Sequence, residues 1–249
     1  MTRPLIVANW KMNMTLEEAR GWCAFWPKDW GVKKRAANVV VCPSFVQLLF
    51  VQGRLLEIGF ELGAQDCAAE AMGAHTGDVS ALMLKDAGCH YVIVGHSERR
   101  TNHRENDPMV CQKSIQVFSS GMTPIVCIGE TLDERTKGKT HEVLTRQLTR
   151  SLPHDLKEKN VVVAYEPVWA IGTGKVPAMD EIKNAHAHIF EVLTSLGWEG
   201  AKPILYGGSV TSDNAFEILG LPFVGGLLVG GASLIPEKFD GILKAAEVF

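Results

Sequence analysis

Eight short runs of β-branched and other apolar residues recur along the chain, spaced roughly 20 to 40 residues apart. They are LIVA (5–8), NVVVC (38–42), FELGA (60–64), HYVIV (90–94), TPIVCI (123–128), NVVVAY (160–165), PILY (203–206) and VGGLLV (224–229). Each is short enough for a strand. Between them lie polar, periodic stretches such as 105–120, 139–151, 178–196 and 211–219. Several of these open on Thr, Ser or Asp and close on Gly, as at Ser195-Leu196-Gly197, which predicts helices. Near-continuous apolar strands need cover on both faces and so belong to a parallel sheet, and strict alternation of strand and helix is the α/β pattern. Eight such units in 249 residues predict a closed (β/α)8 barrel rather than an open doubly wound sheet. No Pro-, Gly- or Ser-rich linker divides the chain, so residues 1–249 are expected to form one domain.

In a barrel of this kind the functional groups gather just past the C-terminal ends of the strands. That rule selects Asn9 and Lys11 after the first strand, Gly95-His96-Ser97-Glu98 after the fourth and Glu166-Pro167-Val168-Trp169 after the sixth. The seventh and eighth strands end in Gly207-Gly208-Ser209 and Gly230-Gly231-Ala232-Ser233. Glycine pairs running into helices expose backbone N–H groups at a helix N-terminus, which suits a phosphate. A glutamate at a strand end can act as a general base, while a histidine and a lysine opposite can polarise a carbonyl. The set describes proton transfer beside a carbonyl in a small phosphorylated substrate, through an enediolate. Such an intermediate loses phosphate readily unless water is shut out, so a lid is expected. The stretch PVWAIGTGKVP (167–177), with a glycine-rich tip between Pro-bearing ends, fits one.

These segments carry a resemblance. ANWKMN (8–13), GHSERR (95–100), CIGE (127–130), AYEPVWAIGTGK (164–175), YGGSV (206–210) and LVGGASL (228–234) stand in the order and spacing of the triosephosphate isomerase family, along the whole chain. The resemblance implies interconversion of dihydroxyacetone phosphate and D-glyceraldehyde 3-phosphate. The roles it carries over are the known pattern of that family: Glu166 as the base and His96 as a neutral electrophile and proton donor. Lys11 would supply positive charge, Asn9 would complete the oxyanion site, and Glu98 resembles the carboxylate behind that lysine. Gly172, Ser209, Gly230 and Gly231 would hold phosphate through backbone N–H groups, with Ile171 and Leu228 packed over the substrate to dry the site. No metal or organic cofactor is needed.

The resemblance also bears on assembly. The segment 66–80, DCAAEAMGAHTGDVS, is a long loop after the third strand. The resemblance implies a two-fold homodimer in which Thr76 and Gly77 of this loop reach near the Asn9 and Lys11 of a second copy, with Met14 at the contact. A tetramer stays open.

Two rival functions stay open as well: a phosphate-binding aldolase that uses Lys11 as a Schiff base, and a non-catalytic binding member of the family. Other readings fail on spacing. A nucleotide-binding loop at Gly172–Lys175 would need Gly at 169 and Ser or Thr at 176, where the chain has Trp169 and Val176. His186 and His188 diverge by about 200° on a helix and cannot share a metal. Cys127 has no neighbouring base in sequence and reads as a packed thiol.

Three departures from the family stand out. Where members carry arginine in H-x-x-[LI]-R and acids in D-x-D-G, this chain has Phe190 and Phe223-Val224-Gly225. Replacing both partners of an ion pair by apolar groups can be neutral, so Phe190 is expected to pack near Phe223 or Gly225. Pro177 stands where the family offers a backbone N–H to the tyrosine of YGGSV, and proline has none to give. Lid closure should then lean on Ser209 meeting the N–H of Gly174 rather than on Tyr206. Ala8 replaces a glycine with no consequence assigned.

Composition narrows the partners. With 25 basic and 28 acidic residues the net charge is −3, and the densest basic run is Lys33-Lys34-Arg35, so neither nucleic acid nor an anionic membrane is indicated. No run approaches the roughly 18 apolar residues that span a bilayer, and 5–8 is too short for a secretory apolar core. Six cysteines without a C-x-x-C pair read as thiols in a reducing compartment, and the protein is expected to be cytoplasmic.

Overall fold

All eight apolar runs are strands: β1 (Leu5–Asn9), β2 (Asn38–Cys42), β3 (Glu61–Ala64), β4 (Tyr91–Val94), β5 (Thr123–Ile128), β6 (Val162–Tyr165), β7 (Ile204–Tyr206) and β8 (Gly226–Val229). The computed structural model describes residues 3–30, 37–156, 160–171, 177–198 and 203–248. Each strand pairs in parallel with its neighbours in sequence, and β8 closes on β1 with Leu5 opposite Gly226 and Ala8 opposite Val229. The expected closed barrel is formed.

Helices cover it: α1 (Leu16–Phe25), α2 (Leu48–Ile58), α3 (Ala81–Asp86), α4 (Ser97–Asn102), α5 (Asp107–Ser119), α6 (Leu132–Thr136), α7 (Thr140–Ser151), α8 (Met179–Ser195), α9 (Ala215–Leu219) and α10 (Pro236–Ala245). Their starts follow local chemistry. Thr15 and Thr131 accept the backbone N–H of Glu18 and Glu134, whose carboxylates reach back to the cap. Asn106 accepts from Met109, with Pro108 in the first turn of α5. One predicted helix is shorter than expected: of 211–219 only Ala215–Leu219 is helical. The Asn214 side chain takes the backbone N–H of Thr211 at 2.9 Å, so the polar run Thr211-Ser212-Asp213-Asn214 closes a turn on itself instead. The glycine pair after β7 therefore does not run straight into a helix, whereas the pair after β8 does, at a short 3-10 helix over Gly231–Leu234.

Side chains alternate in and out along each strand. Leu5, Val7, Val40, Cys42, Ile93, Ile125, Cys127, Val162, Ala164, Leu205 and Leu228 fill the barrel interior. Their neighbours in sequence pack outward against the helices in a second, larger core. Under α1 this core is aromatic: Trp22 and Trp26 lie 5.4 Å apart, and Trp10, Trp30, Phe60 and Phe239 surround them. All six cysteines are free, and five are buried. Cys127 is a core thiol as expected, its pKa pushed well up by burial and by the nearby Glu166 carboxylate.

At the N-terminal end of the barrel Phe190 and Phe223 stack with ring centroids 4.8 Å apart, so the apolar contact expected in place of an ion pair is made. His186 and His188 point apart. His188 stacks on His141 at 4.1 Å and meets Thr145 Oγ1 at 2.8 Å. His186 is fully buried, and its Nδ1 lies 3.3 Å from the carbonyl of Phe223, so Nδ1 carries the hydrogen. Burial brings its pKa down to about 4, with the Phe223 bond opposing.

An unfolded histidine titrates near 6.5, so between pH 6.5 and about 4 the unfolded chain binds a proton that the folded chain refuses. Stability is full above that window and falls as pH drops through it, by about 3 kcal/mol at most. Urea unfolding at fixed protein concentration should show a shallower loss between pH 7 and 4.5 for His186→Asn than for the parent chain. Identical pH slopes would count against this assignment.

Candidate active site

The inward rows of four strands continue past the C-terminal rim. Asn9 extends Leu5 and Val7, Glu166 extends Val162 and Ala164, Gly207 follows Leu205, and Gly230 follows Leu228. Packing fills the rows below, and the residues above close a cavity of about 520 Å3. Asn9, Lys11, His96, Glu166, Ile171, Ser209, Leu228, Gly230 and Gly231 all line it. Of the expected site residues, Glu98 stands just behind, on Lys11, and Gly172 lies outside the described residues. A somewhat larger cavity of about 610 Å3 opens at the other end of the barrel, but among the described residues no carboxylate or imidazole lines it. Chemistry, not volume, selects the site.

Glu166 is almost wholly buried. Its Oε1 lies 2.8 Å from His96 Nε2, and its Oε2 accepts the backbone N–H of Ser97 at 3.0 Å. Burial alone would raise the carboxyl, but the His96 ring, the Ser97 N–H and the more distant Lys11 ammonium together hold it below the usual glutamate range. Two glycines make room. A Cβ on Gly129 would sit 1.7 Å from the Glu166 carbonyl oxygen, and one on Gly207 would sit 2.9 Å from Glu166 Cγ. No other side chain fits against this residue from either side.

His96 caps α4. Its Nδ1 accepts the backbone N–H of Glu98 at 3.2 Å, which leaves the ring hydrogen on Nε2, facing Glu166 and the cavity. Burial opposes the charged ring while the Glu166 carboxylate favours it, for a net upward shift. That upward pull comes from the one group expected to move, and the amide at Nδ1 leaves no lone pair there for a second proton. The geometry is that of a neutral imidazole donating through Nε2.

Lys11 adopts a left-handed backbone (φ 55°), uncommon for a side chain of its size, and its N–H donates to Asn9 Oδ1 at 3.0 Å. Gln65 Nε2 donates to the Lys11 carbonyl at 2.9 Å and holds the bend. Lys11 Nζ meets Glu98 Oε1 at 2.5 Å. Gly230 lets the lysine pass: a Cβ there would stand 3.2 Å from Lys11 Cε.

Sequence reasoning missed Ser97 as a backbone partner and the cluster around Trp169, at the start of the stretch expected to form a lid. There Glu130 Oε1 accepts from Tyr165 Oη at 3.2 Å and Trp169 Nε1 at 3.0 Å, Arg135 lies 4.4 Å over the Trp169 ring, and Arg135 also pairs with Glu181. CIGE and Trp169 were visible as motif residues, but nothing in their spacing shows that they meet.

Residues 4–246 match the family described as Triosephosphate isomerase. A triosephosphate isomerase of Afipia carboxidovorans is 46% identical over 246 residues, covering 98% of this chain and 97% of that protein. One of Magnetococcus marinus is 45% identical over 98% of each. The crystal structure of triosephosphate isomerase from Bartonella henselae superposes with a TM-score of 0.85 at 40% identity, covering 98% of both chains. The chain belongs to the triosephosphate isomerase family.

Within the triosephosphate isomerase pattern, the departure at Pro177 has a structural counterpart. Tyr206 is fully buried, and its Oη has no hydrogen-bond partner among the described residues. Gly208 lies directly against it: a Cβ there would be 2.2 Å from Oη. Gly174, the expected partner of Ser209, lies outside the described residues. Removing a buried hydroxyl without a partner forfeits no bond, whereas removing the Ser209 hydroxyl would forfeit the one expected to Gly174. Tyr206→Phe should therefore lower kcat by less than about threefold and Ser209→Ala by about tenfold. Steady-state kinetics giving equal losses would overturn the distinction.

Proposed function

We propose that this chain interconverts dihydroxyacetone phosphate and D-glyceraldehyde 3-phosphate, with residues 1–249 acting as one barrel domain. One observation carries the reading: a buried glutamate, an imidazole donating through Nε2 and a lysine share one cavity with two glycine-rich turns. The N–H groups of Gly230, Gly231 and Ser209, with Gly172 from the lid, take the phosphate. The substrate oxygens then face His96 Nε2–H, Lys11 Nζ and the Asn9 amide, whose donors stabilise charge as it develops on oxygen.

Glu166 has to leave Ser97 and His96 to reach carbon. Leaving removes the groups that hold its pKa down, while burial, deepened by Ile171 and Leu228, stays and raises it. The carboxylate becomes a better base as it arrives. It takes a proton from one carbon as the electrons move onto the carbonyl oxygen, which takes the Nε2 proton of His96; the other hydroxyl of the enediol then returns a proton to His96 Nε2 while Glu166 delivers its proton to the adjacent carbon, giving the isomer and restoring both groups. The ion pair with Glu98 argues against the aldolase reading, because an ammonium has no lone pair to form a Schiff base. Convergence of all three groups argues against a non-catalytic binder.

The homodimer belongs to the same proposal. The loop 66–80 projects with residues 70–78 exposed, and a cavity of about 500 Å3 beside Asn9 and Lys11, lined also by Asn13, Phe45, Gln65 and Glu98, suits the tip of a second copy around Thr76. Met12, Val46, Met72 and Met83 are exposed apolar residues on the segments that would meet. Free thiols throughout, and no described helix long and apolar enough to cross a membrane, fit the cytoplasmic location we propose.

Purified protein should isomerise either triose phosphate, and Glu166→Gln should lower kcat roughly 10²–10⁴-fold with KM little changed. Wild-type inactivity in that assay, or a fully active Glu166→Gln, would end the proposal. Sedimentation velocity should find two copies of the 27.2 kDa chain together, and Thr76→Arg should shift the protein to monomer with parallel loss of turnover. An active, monomeric wild type would refute the dimer.

A further inference from the structure

The far end of the barrel carries a feature that catalysis does not use. A cavity of about 610 Å3 opens at the N-terminal mouth, within the roughly 300–1,000 Å3 range of small-molecule sites. Its lining includes the first residues of several strands, Leu5, Asn38, Tyr91, Thr123 and Val162, so it lies a barrel's length from Glu166. Its rim is aromatic. Phe190 and Phe223 are 42% and 46% exposed and stack on each other with their planes tilted by 31°. Phe223 holds this position with a left-handed backbone (φ 66°), a conformation that an aromatic residue adopts only at some cost. Core packing does not require it, because both rings face the cavity and solvent.

The polar groups add a direction. Among the described residues no acidic side chain lines the cavity, and Arg3 is the single charged residue that does. Among the described residues Arg3 has no ion-pair partner. Asn38, Thr123 and Asn160 offer neutral hydrogen-bonding groups, and burial together with the Glu61 carboxylate keeps the Tyr91 phenol protonated and able to donate. A flat apolar ring would satisfy Phe190 and Phe223, and an anionic group on that ring would satisfy Arg3.

We propose that this mouth is a second, non-catalytic binding site for a small aromatic carboxylate of one or two fused rings. The family's ion pair would fill the rim with charge. Its replacement by Phe190, Phe223 and Gly225 creates both the stacking surface and the room.

The test titrates 2-naphthoate, with 2-naphthamide as its uncharged counterpart, into the full chain by calorimetry in saturating inorganic phosphate. One-to-one binding is expected with a Kd on the order of 1 mM or tighter, and the amide should bind at least about threefold more weakly. Arg3→Gln should erase the difference between the two compounds. Phe223→Asn, which tolerates the left-handed backbone while removing the ring, should weaken both by about tenfold. Isomerase kcat should be unchanged in both variants. No saturable binding, binding indifferent to both substitutions, or displacement of naphthoate by phosphate would overturn the site. So would a ligand-free protein whose sedimentation coefficient falls in Phe223→Asn, since this face would then join copies of the chain.

Discussion

Closure of the sheet is the constraint from which the rest follows. Once β8 pairs with β1 every strand has two neighbours, no edge remains, and each backbone is committed to the ladder. The alternation of side chains then has no freedom: every second residue points into a narrow space that only packed apolar groups can fill. The same rows, carried one step beyond the last layer, deliver Asn9, Glu166, Gly207 and Gly230 to a single opening. The site is the unfilled top layer of the core.

The proposed chemistry uses an electrostatic arrangement with two settings, of which the structure holds one. In this structure Glu166 rests on His96 Nε2 and the Ser97 N–H, contacts that stabilise its charge and make it a poor base. The His96 tautomer is fixed independently by the Glu98 N–H at Nδ1, and the Lys11 ammonium by the Glu98 carboxylate. In the proposed mechanism the donors are oriented by these contacts, and the base is the group that would change partners. Gly207 provides clearance beside the Glu166 side chain, and Gly129 beside its backbone carbonyl.

The opposite mouth shows how the same scaffold tolerates a paired change. Where the family resemblance implies an ion pair, two phenylalanines make contact, so no charge is left orphaned. The exchange also leaves His186 beneath them with an unpaired Nε2 and a carbonyl partner on Phe223. A neutral imidazole suits that environment, so the substitution and the depressed pKa of His186 belong to one local solution.

Much of this was legible in the chain itself. Strand-length apolar runs specify parallel strands because both faces must be buried, and their number and alternation with helices specify a closed barrel. Asn9, His96, Glu166 and the glycine pairs were placed at one mouth because strand ends in a barrel must gather there. The helix over 211–219 was overestimated, since the competition between Asn214's side chain and the helical ladder depends on a turn that periodicity does not record. The Ser97 N–H on Glu166, the Glu130–Trp169–Arg135 contacts and the cavity beside Arg3 join residues distant in sequence or groups without a side-chain signature. Local pattern determined which elements form and which of their ends bear chemistry, because it follows from burial along one strand or helix. Only the tertiary structure decided which carboxylate meets which donor and where space is left over, because those depend on distances between separate elements that no single segment encodes.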